Sequence, residues 1–179
     1  MKTQIWAHRG ASAYAPENTL EAFRLAAEMG ADGVELDVQL SRDGELVVAH
    51  DETIDRVSNG TGYIKDYTLA QLKELSFNRL FPAFKDARIP TLKEVYELLK
   101  PGGLTVNVEL KTGIILYPEI EEKVLALTAS MGMEDRVIYS SFCHPSLVRL
   151  KELDSGLKTG LLYSDGWIDA AAYGRHTVG

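Results

Sequence analysis

Two stretches of this chain alternate apolar and polar residues in the same phase. In Gly33–Leu40, Val34, Leu36, Val38 and Leu40 share one face of an extended strand and Glu35, Asp37 and Gln39 share the other, because successive strand side chains point opposite ways. Over 104–111, Leu104, Val106, Val108 and Leu110 fall on one face and Thr105, Asn107, Glu109 and Lys111 on the other. Each strand lies near an amphipathic helical segment. The apolar face therefore has a helix layer to cover it, and the acidic face turns toward an enclosed site. Either strand alone fits an ordinary antiparallel sheet with solvated acids; the neighbouring residues change that balance.

The rest of the pattern alternates strand and helix. A first strand spans about 4–8. Asn18 with Glu21 predicts a capping box for a helix over 19–29, stopped by Gly30. After strand 33–40, the turn Ser41-Arg42-Asp43-Gly44 leads into a second extended run, 45–49, ending at His50, so the pair predicts a hairpin. Thr91 with Glu94 opens a helix over 92–100, ended by Pro101-Gly102-Gly103 before strand 104–110. There follow a helix from Pro118 to Gly132, a strand at 136–140, a helix opening at Pro145, a strand at 158–162 and a short helix near 167–173. This rhythm predicts a parallel sheet covered by helices. Polar residues directed inward near the carboxyl ends of several strands favour a barrel over an open doubly wound sheet.

Segment 51–90 breaks the rhythm. It holds a turn at Ser58-Asn59-Gly60, a short helix after Thr68 with Gln71 at its third position, and Phe77, Phe81 and Phe84 among polar residues. It reads either as an inserted cap or as a satellite hydrophobic cluster under a long loop. Five barrel strands and the hairpin fit into 179 residues, whereas a closed eight-stranded barrel takes about 250. The expectation is one domain, 1–179, truncated after about five barrel strands, with strand 158–162 as an open edge suited to self-association.

Composition limits the partners. With 45% hydrophobic and 25% charged residues the chain is an ordinary soluble globular protein. A net charge of −7 and a pI near 5.1 disfavour nonspecific nucleic-acid binding, so a phosphate-bearing substrate would be attracted only locally. The only cysteine, Cys143, excludes an intrachain disulfide and a cysteine-rich zinc cage. No apolar run approaches the ~20 residues of a membrane span, and the amino terminus lacks the apolar core of a secretory signal. A cytoplasmic setting is the expectation. Asn59-Gly60-Thr61 reads as a turn rather than a glycosylation site, and Gly60-Thr61-Gly62 lacks the third glycine of a dinucleotide fingerprint.

Three carboxylates gathered in a desolvated pocket repel one another and take up protons unless a cation holds them. A divalent metal is the simplest such cation. Of the four histidines, His8 and His50 end predicted strands, where a barrel places its chemistry. His144, before Pro145, reads as a helix cap, and nothing supports Cys143 as a nucleophile.

His8-Arg9-Gly10, Pro16-Glu17-Asn18-Thr19, Glu35-Leu36-Asp37, His50-Asp51 and Glu109-Leu110-Lys111, in this order and at these intervals, resemble the glycerophosphodiester phosphodiesterase family. The likeness covers almost the whole chain and is densest in residues 8–51. It implies a TIM barrel with a small cap inserted between the second strand and the second helix, a place that segment 51–90 occupies. It implies that Glu35, Asp37 and Glu109 bind one divalent ion, that His8 and His50 do acid-base work, and that Arg9 and Lys111 contact the phosphate. Hard carboxylate oxygens suit Mg²⁺ or Ca²⁺, with Mn²⁺ a third candidate. Glu35 and Asp37 stand about 6.6 Å apart along one strand face and can converge on one ion. The tryptophan-bearing strand and the Gly-Val-Asp-Gly-like closing strand of the family have no counterpart here.

The implied activity is hydrolysis of a small-molecule glycerophosphodiester to an alcohol and glycerol 3-phosphate. Two competing readings are a phospholipase-D-like lipid phosphodiesterase, which uses a similar residue set, and an inactive barrel fragment that binds metal or phosphate. A zinc amidohydrolase fits less well, since its first strand would offer two histidines.

Overall fold

A computed structural model of the chain describes residues 3–178. Its strands are β1 (Trp6–His8), β2 (Gly33–Leu40), β3 (Leu46–Val48), β4 (Thr105–Leu110), β5 (Val137–Ser141) and β6 (Thr159–Leu161). The helices are α1 (Leu20–Glu28), α2 (Leu69–Glu74), α3 (Leu92–Leu99), α4 (Ile120–Ser130), α5 (His144–Leu153) and α6 (Ala170–Thr177). Five parallel strands follow one another in the order β1-β2-β4-β5-β6, while β3 pairs antiparallel with β2 as the predicted hairpin. An unbroken sequential order is that of a barrel wall. A doubly wound sheet would reverse direction at a switch point, so the topology decides between the two architectures.

The outer faces of β2 and β4 are covered as their alternation requires. Val34, Leu36, Val38, Val106 and Val108 are fully buried against Phe23 of α1, Val95, Tyr96 and Leu99 of α3, and Val124 of α4. Each such aliphatic side chain contributes about 1.5–3 kcal/mol, which fixes which face of each strand points inward. A second cluster of Val47, Ile54, Ile64, Leu72, Phe77 and Ile89 gives segment 51–90 a small core of its own, a feature compatible with either reading of that stretch. Among the described residues no helix is long and apolar enough to cross a membrane.

Capping boxes form at α2 and α3. Thr91 Oγ1 accepts from the Glu94 N–H at 3.2 Å while Glu94 Oε2 accepts from the Thr91 N–H at 2.7 Å, and Thr68 with Gln71 does the same. Three local expectations fail. α1 is capped by Thr19, whose hydroxyl accepts from Ala22 N, because Asn18 is in the left-handed region (φ 56°) with its side chain committed to Asp37. His144 is the first residue of α5 rather than its cap; its two ring nitrogens are bonded to Tyr173 Oη (3.0 Å) and the Leu162 carbonyl (2.8 Å). The final helix starts at Ala170, not near 167, because the Asp169 carboxylate closes its first turn on Ala172 N.

Candidate functional site

The end of β1 turns tightly. Arg9 and Gly10 both have positive φ, 57° and 77°, and a Cβ on Gly10 would lie 2.7 Å from the Ala22 carbonyl carbon, so only glycine fits there. The turn aims the Arg9 N–H at Glu35, whose Oε2 accepts it at 3.1 Å. Parallel pairing sets Asp37 opposite Glu109 and His8 opposite Glu35. Since the apolar faces are held outward, Glu35, Asp37 and Glu109 all turn to the inner side. One carboxylate oxygen of each lies within 4.8 Å of the others.

This cluster is largely dry. Asp37 is 1% exposed and Glu109 7%. Burial, then the charges of Asp37 and Glu109, push the Glu35 carboxyl up to about 8, against the opposing Arg9 amide bond. Asn18 Nδ2 donates to Asp37 Oδ2 at 2.8 Å, and Arg9 Nε stands 3.5 Å from the same oxygen. Lys111 Nζ lies 2.9 Å from Glu109 Oε1 and 3.8 Å from Asp37 Oδ1. Asp37 Oδ1 is buried and has no hydrogen-bond partner among the described residues. Three converging hard oxygens, one of them orphaned, and a carboxyl driven toward protonation fit a divalent cation. His8 borders the cluster, its Nε2 3.8 Å from Glu35 Oε2 and its side chain 68% exposed.

His50 reaches the site by another route. The Ala49 N–H donates to the Asp37 carbonyl at 3.0 Å, which sets the end of the hairpin beside the carboxylates of β2. Gln39, completely buried on the same face of β2, donates from Nε2 to the carbonyls of Ala49 (2.9 Å), His50 (3.3 Å) and Asp51 (2.7 Å), and Tyr117 Oη donates to its Oε1 at 2.8 Å. His50 Nδ1 lies 2.6 Å from Asp51 Oδ1. Arg56 donates from Nε to Asp51 Oδ2 at 2.7 Å and grips Glu17 through both terminal nitrogens at 2.8 Å. Glu17 also accepts from Arg9 Nη1 at 3.1 Å. Ion pairs thus run from Asp37 through Arg9, Glu17, Arg56 and Asp51 to His50.

All seven residues singled out in the sequence lie on this inner side or its rim. The sequence did not single out Arg56, nor give Gln39, Tyr117 or Asn18 their roles. Gln39 carried a signal, its phase with Glu35 and Asp37. Arg56 carried none, since a lone arginine in a loop has no periodicity to expose it.

A profile of the glycerophosphoryl diester phosphodiesterase family matches residues 8–175. The chain is 52% identical over 170 residues to the glycerophosphodiester phosphodiesterase of Caldanaerobacter subterraneus subsp. tengcongensis, covering 94% of this chain and 70% of that protein. Its fold superposes on the crystal structure of a glycerophosphodiester phosphodiesterase from Agrobacterium tumefaciens with a TM-score of 0.81 at 38% identity, covering 88% of this chain and 66% of that one. It also matches an Oleispira antarctica phosphodiesterase in complex with the product sn-glycerol-3-phosphate, with a TM-score of 0.85 at 32% identity, over 98% of this chain and 72% of that one. The chain therefore spans about two thirds to seven tenths of the length of these relatives, and its five parallel strands correspond to part of their barrel. Matched by the profile over nearly all of its length, the chain belongs to the glycerophosphoryl diester phosphodiesterase family.

Proposed function

We propose that the chain is a metal-dependent hydrolase that cleaves a glycerophosphodiester to an alcohol and glycerol 3-phosphate. The observation that carries this reading is the convergence of Glu35, Asp37 and Glu109 within 4.8 Å, bordered by His8 and joined by ion pairs to His50. Those three carboxylates would hold the ion, Mg²⁺ or Ca²⁺ being the best suited to all-oxygen ligation. When bound, the ion supplies positive charge against the negative charge that builds on the phosphoryl oxygens.

The chain's own residues do the rest. Arg9 and Lys111 offer further positive charge to a phosphate beside the cluster, which lowers the repulsion that protects a phosphodiester from attack. One histidine takes a proton from the attacking hydroxyl and the other gives one to the leaving alkoxide. The attacking group is either water or the adjacent glycerol hydroxyl. In the second case the P–O bond to the alcohol breaks as a cyclic phosphate forms, and water then opens the ring with the two histidines exchanging roles. Segment 51–90 acts as a cap over this mouth, since Asp51 and Arg56 at its start are bonded to site residues.

The test is release of glycerol 3-phosphate from glycerophosphoethanolamine or glycerophosphocholine by purified protein with Mg²⁺ or Ca²⁺. Turnover that a chelator removes and either ion restores supports the proposal. Absence of turnover with both ions and both substrates overturns it.

A further inference from the structure

The Asp51 carboxylate is engaged at both oxygens. Oδ1 meets His50 Nδ1 at 2.6 Å and Oδ2 accepts from Arg56 Nε at 2.7 Å. A carboxylate bonded at one oxygen only can swing about its Cβ–Cγ bond; one bonded at both has a fixed plane, and that plane fixes the imidazole facing it. The guanidinium is itself fixed, because Glu17 accepts from Nη1 and Nη2 at 2.8 Å each, the fork geometry that holds an arginine most firmly. Glu17 is tied back to Arg9, and the next residue, Asn18, donates to Asp37. Two consecutive residues of one loop therefore hold the carboxylate cluster and the Arg56 guanidinium in mutual register.

We propose that Arg56 is a positioning residue for His50, orienting the imidazole through Asp51 and coupling its placement to the carboxylate cluster through Glu17. The inference deepens the proposed function and rests on it, since it assigns a purpose to the orientation of a proton-transfer histidine.

Burial raises the Asp51 carboxyl, but its bonds to Arg56 and His50 prevail and hold it down to about 2. Asp51 therefore only accepts, His50 Nδ1 carries the shared hydrogen, and in the neutral ring Nε2 is left with the lone pair needed for proton transfer. An interaction confined to stabilising segment 51–90 would need none of this geometry at the histidine.

The test compares R56A, R56K and the remote surface control R149A in the full chain, by steady-state kinetics on glycerophosphoethanolamine with Mg²⁺ and by ¹⁵N NMR of the His50 ring. For R56A we expect kcat to fall about 10- to 100-fold with KM changed less than about twofold, and partial recovery with added guanidinium. R56K retains the charge without the fork and should fall between R56A and the wild type, and R149A should match the wild type. In the NMR spectra the Nδ1-protonated form of His50 dominates in the wild type and loses that dominance in R56A. Unchanged kcat and unchanged ring shifts in a folded R56A overturn the proposal. Should R56A not fold, R56K decides by the same two measurements. A wild-type protein without turnover removes the functional reading, and the ring shifts alone then judge the positioning.

Discussion

The side-chain amide of Asn18 donates to Asp37 Oδ2 at 2.8 Å, tying the loop before α1 to the most deeply buried carboxylate of the cluster. The bond is available because Asn18 occupies the left-handed region, which asparagine tolerates better than most residues. Asn18→Ala should destabilise the protein by about 2–4 kcal/mol, from an unpaired buried oxygen together with backbone strain. Asn18→Gly retains only the first part. Urea denaturation of the two variants separates the terms, and equal midpoints would remove strain from the account.

Removing one of three crowded carboxylates has opposite effects with and without a cation. In metal-free protein near neutral pH, Glu35 must take up a proton to sit buried beside Asp37 and Glu109. Glu35→Gln removes that cost and should raise stability by about 1 kcal/mol, or roughly 2–4 °C in Tm. With millimolar Mg²⁺ or Ca²⁺ the wild type should gain stability that the variant lacks. Calorimetric scans with and without chelator measure both. A wild type indifferent to both ions would mean that the cluster binds neither.

His8→Ala and His50→Ala should each lower turnover by about 10²–10⁴-fold. His8 is exposed, so its replacement should leave Tm within about 1 °C, whereas His50 is half-buried and bonded to Asp51. Retained turnover in either variant would remove that histidine from proton transfer.

Gln39 offers a separate handle on His50. Gln39→Leu leaves three backbone carbonyls and the Tyr117 hydroxyl without their partner in a buried place, at a cost of about 2–4 kcal/mol. Chemical denaturation should register this loss, with kcat falling as the end of the hairpin loosens.

Acid should expose the ion-pair chain. The Arg56 bonds lower the Glu17 carboxyl against burial, and the Arg56 and His50 bonds hold Asp51 at about 2 although burial opposes them. Both folded carboxyls lie below their ordinary values, so the stability they contribute is complete above about pH 4.5 and is lost as pH falls toward 2. The groups are partly exposed, and screening leaves about 1 kcal/mol. Denaturation midpoints between pH 5 and 2.5 should fall less steeply in Arg56→Ala than in the wild type. Equal slopes would mean that the pairs carry no stability.

What the amino-acid order determined is what short-range geometry controls. The period of two in 33–40 and 104–111 set Glu35, Asp37 and Glu109 on faces opposite to their apolar neighbours. The Thr68/Gln71 and Thr91/Glu94 pairs set two helix starts, because each cap is closed within four residues. Tertiary structure decided where a side chain had a stronger distant partner. Asn18 had the local form of a helix cap, yet its amide went to Asp37, nineteen positions away and buried, where an unpaired oxygen costs more than a cap returns. The Glu17 to Arg56 fork spans thirty-nine positions and follows no period, so only the folding of segment 51–90 against the β1 turn created it. Strand order came from packing: alternation and inward polar residues already favoured a barrel of parallel strands, and the unbroken sequence of β1, β2, β4, β5 and β6 bears that choice out.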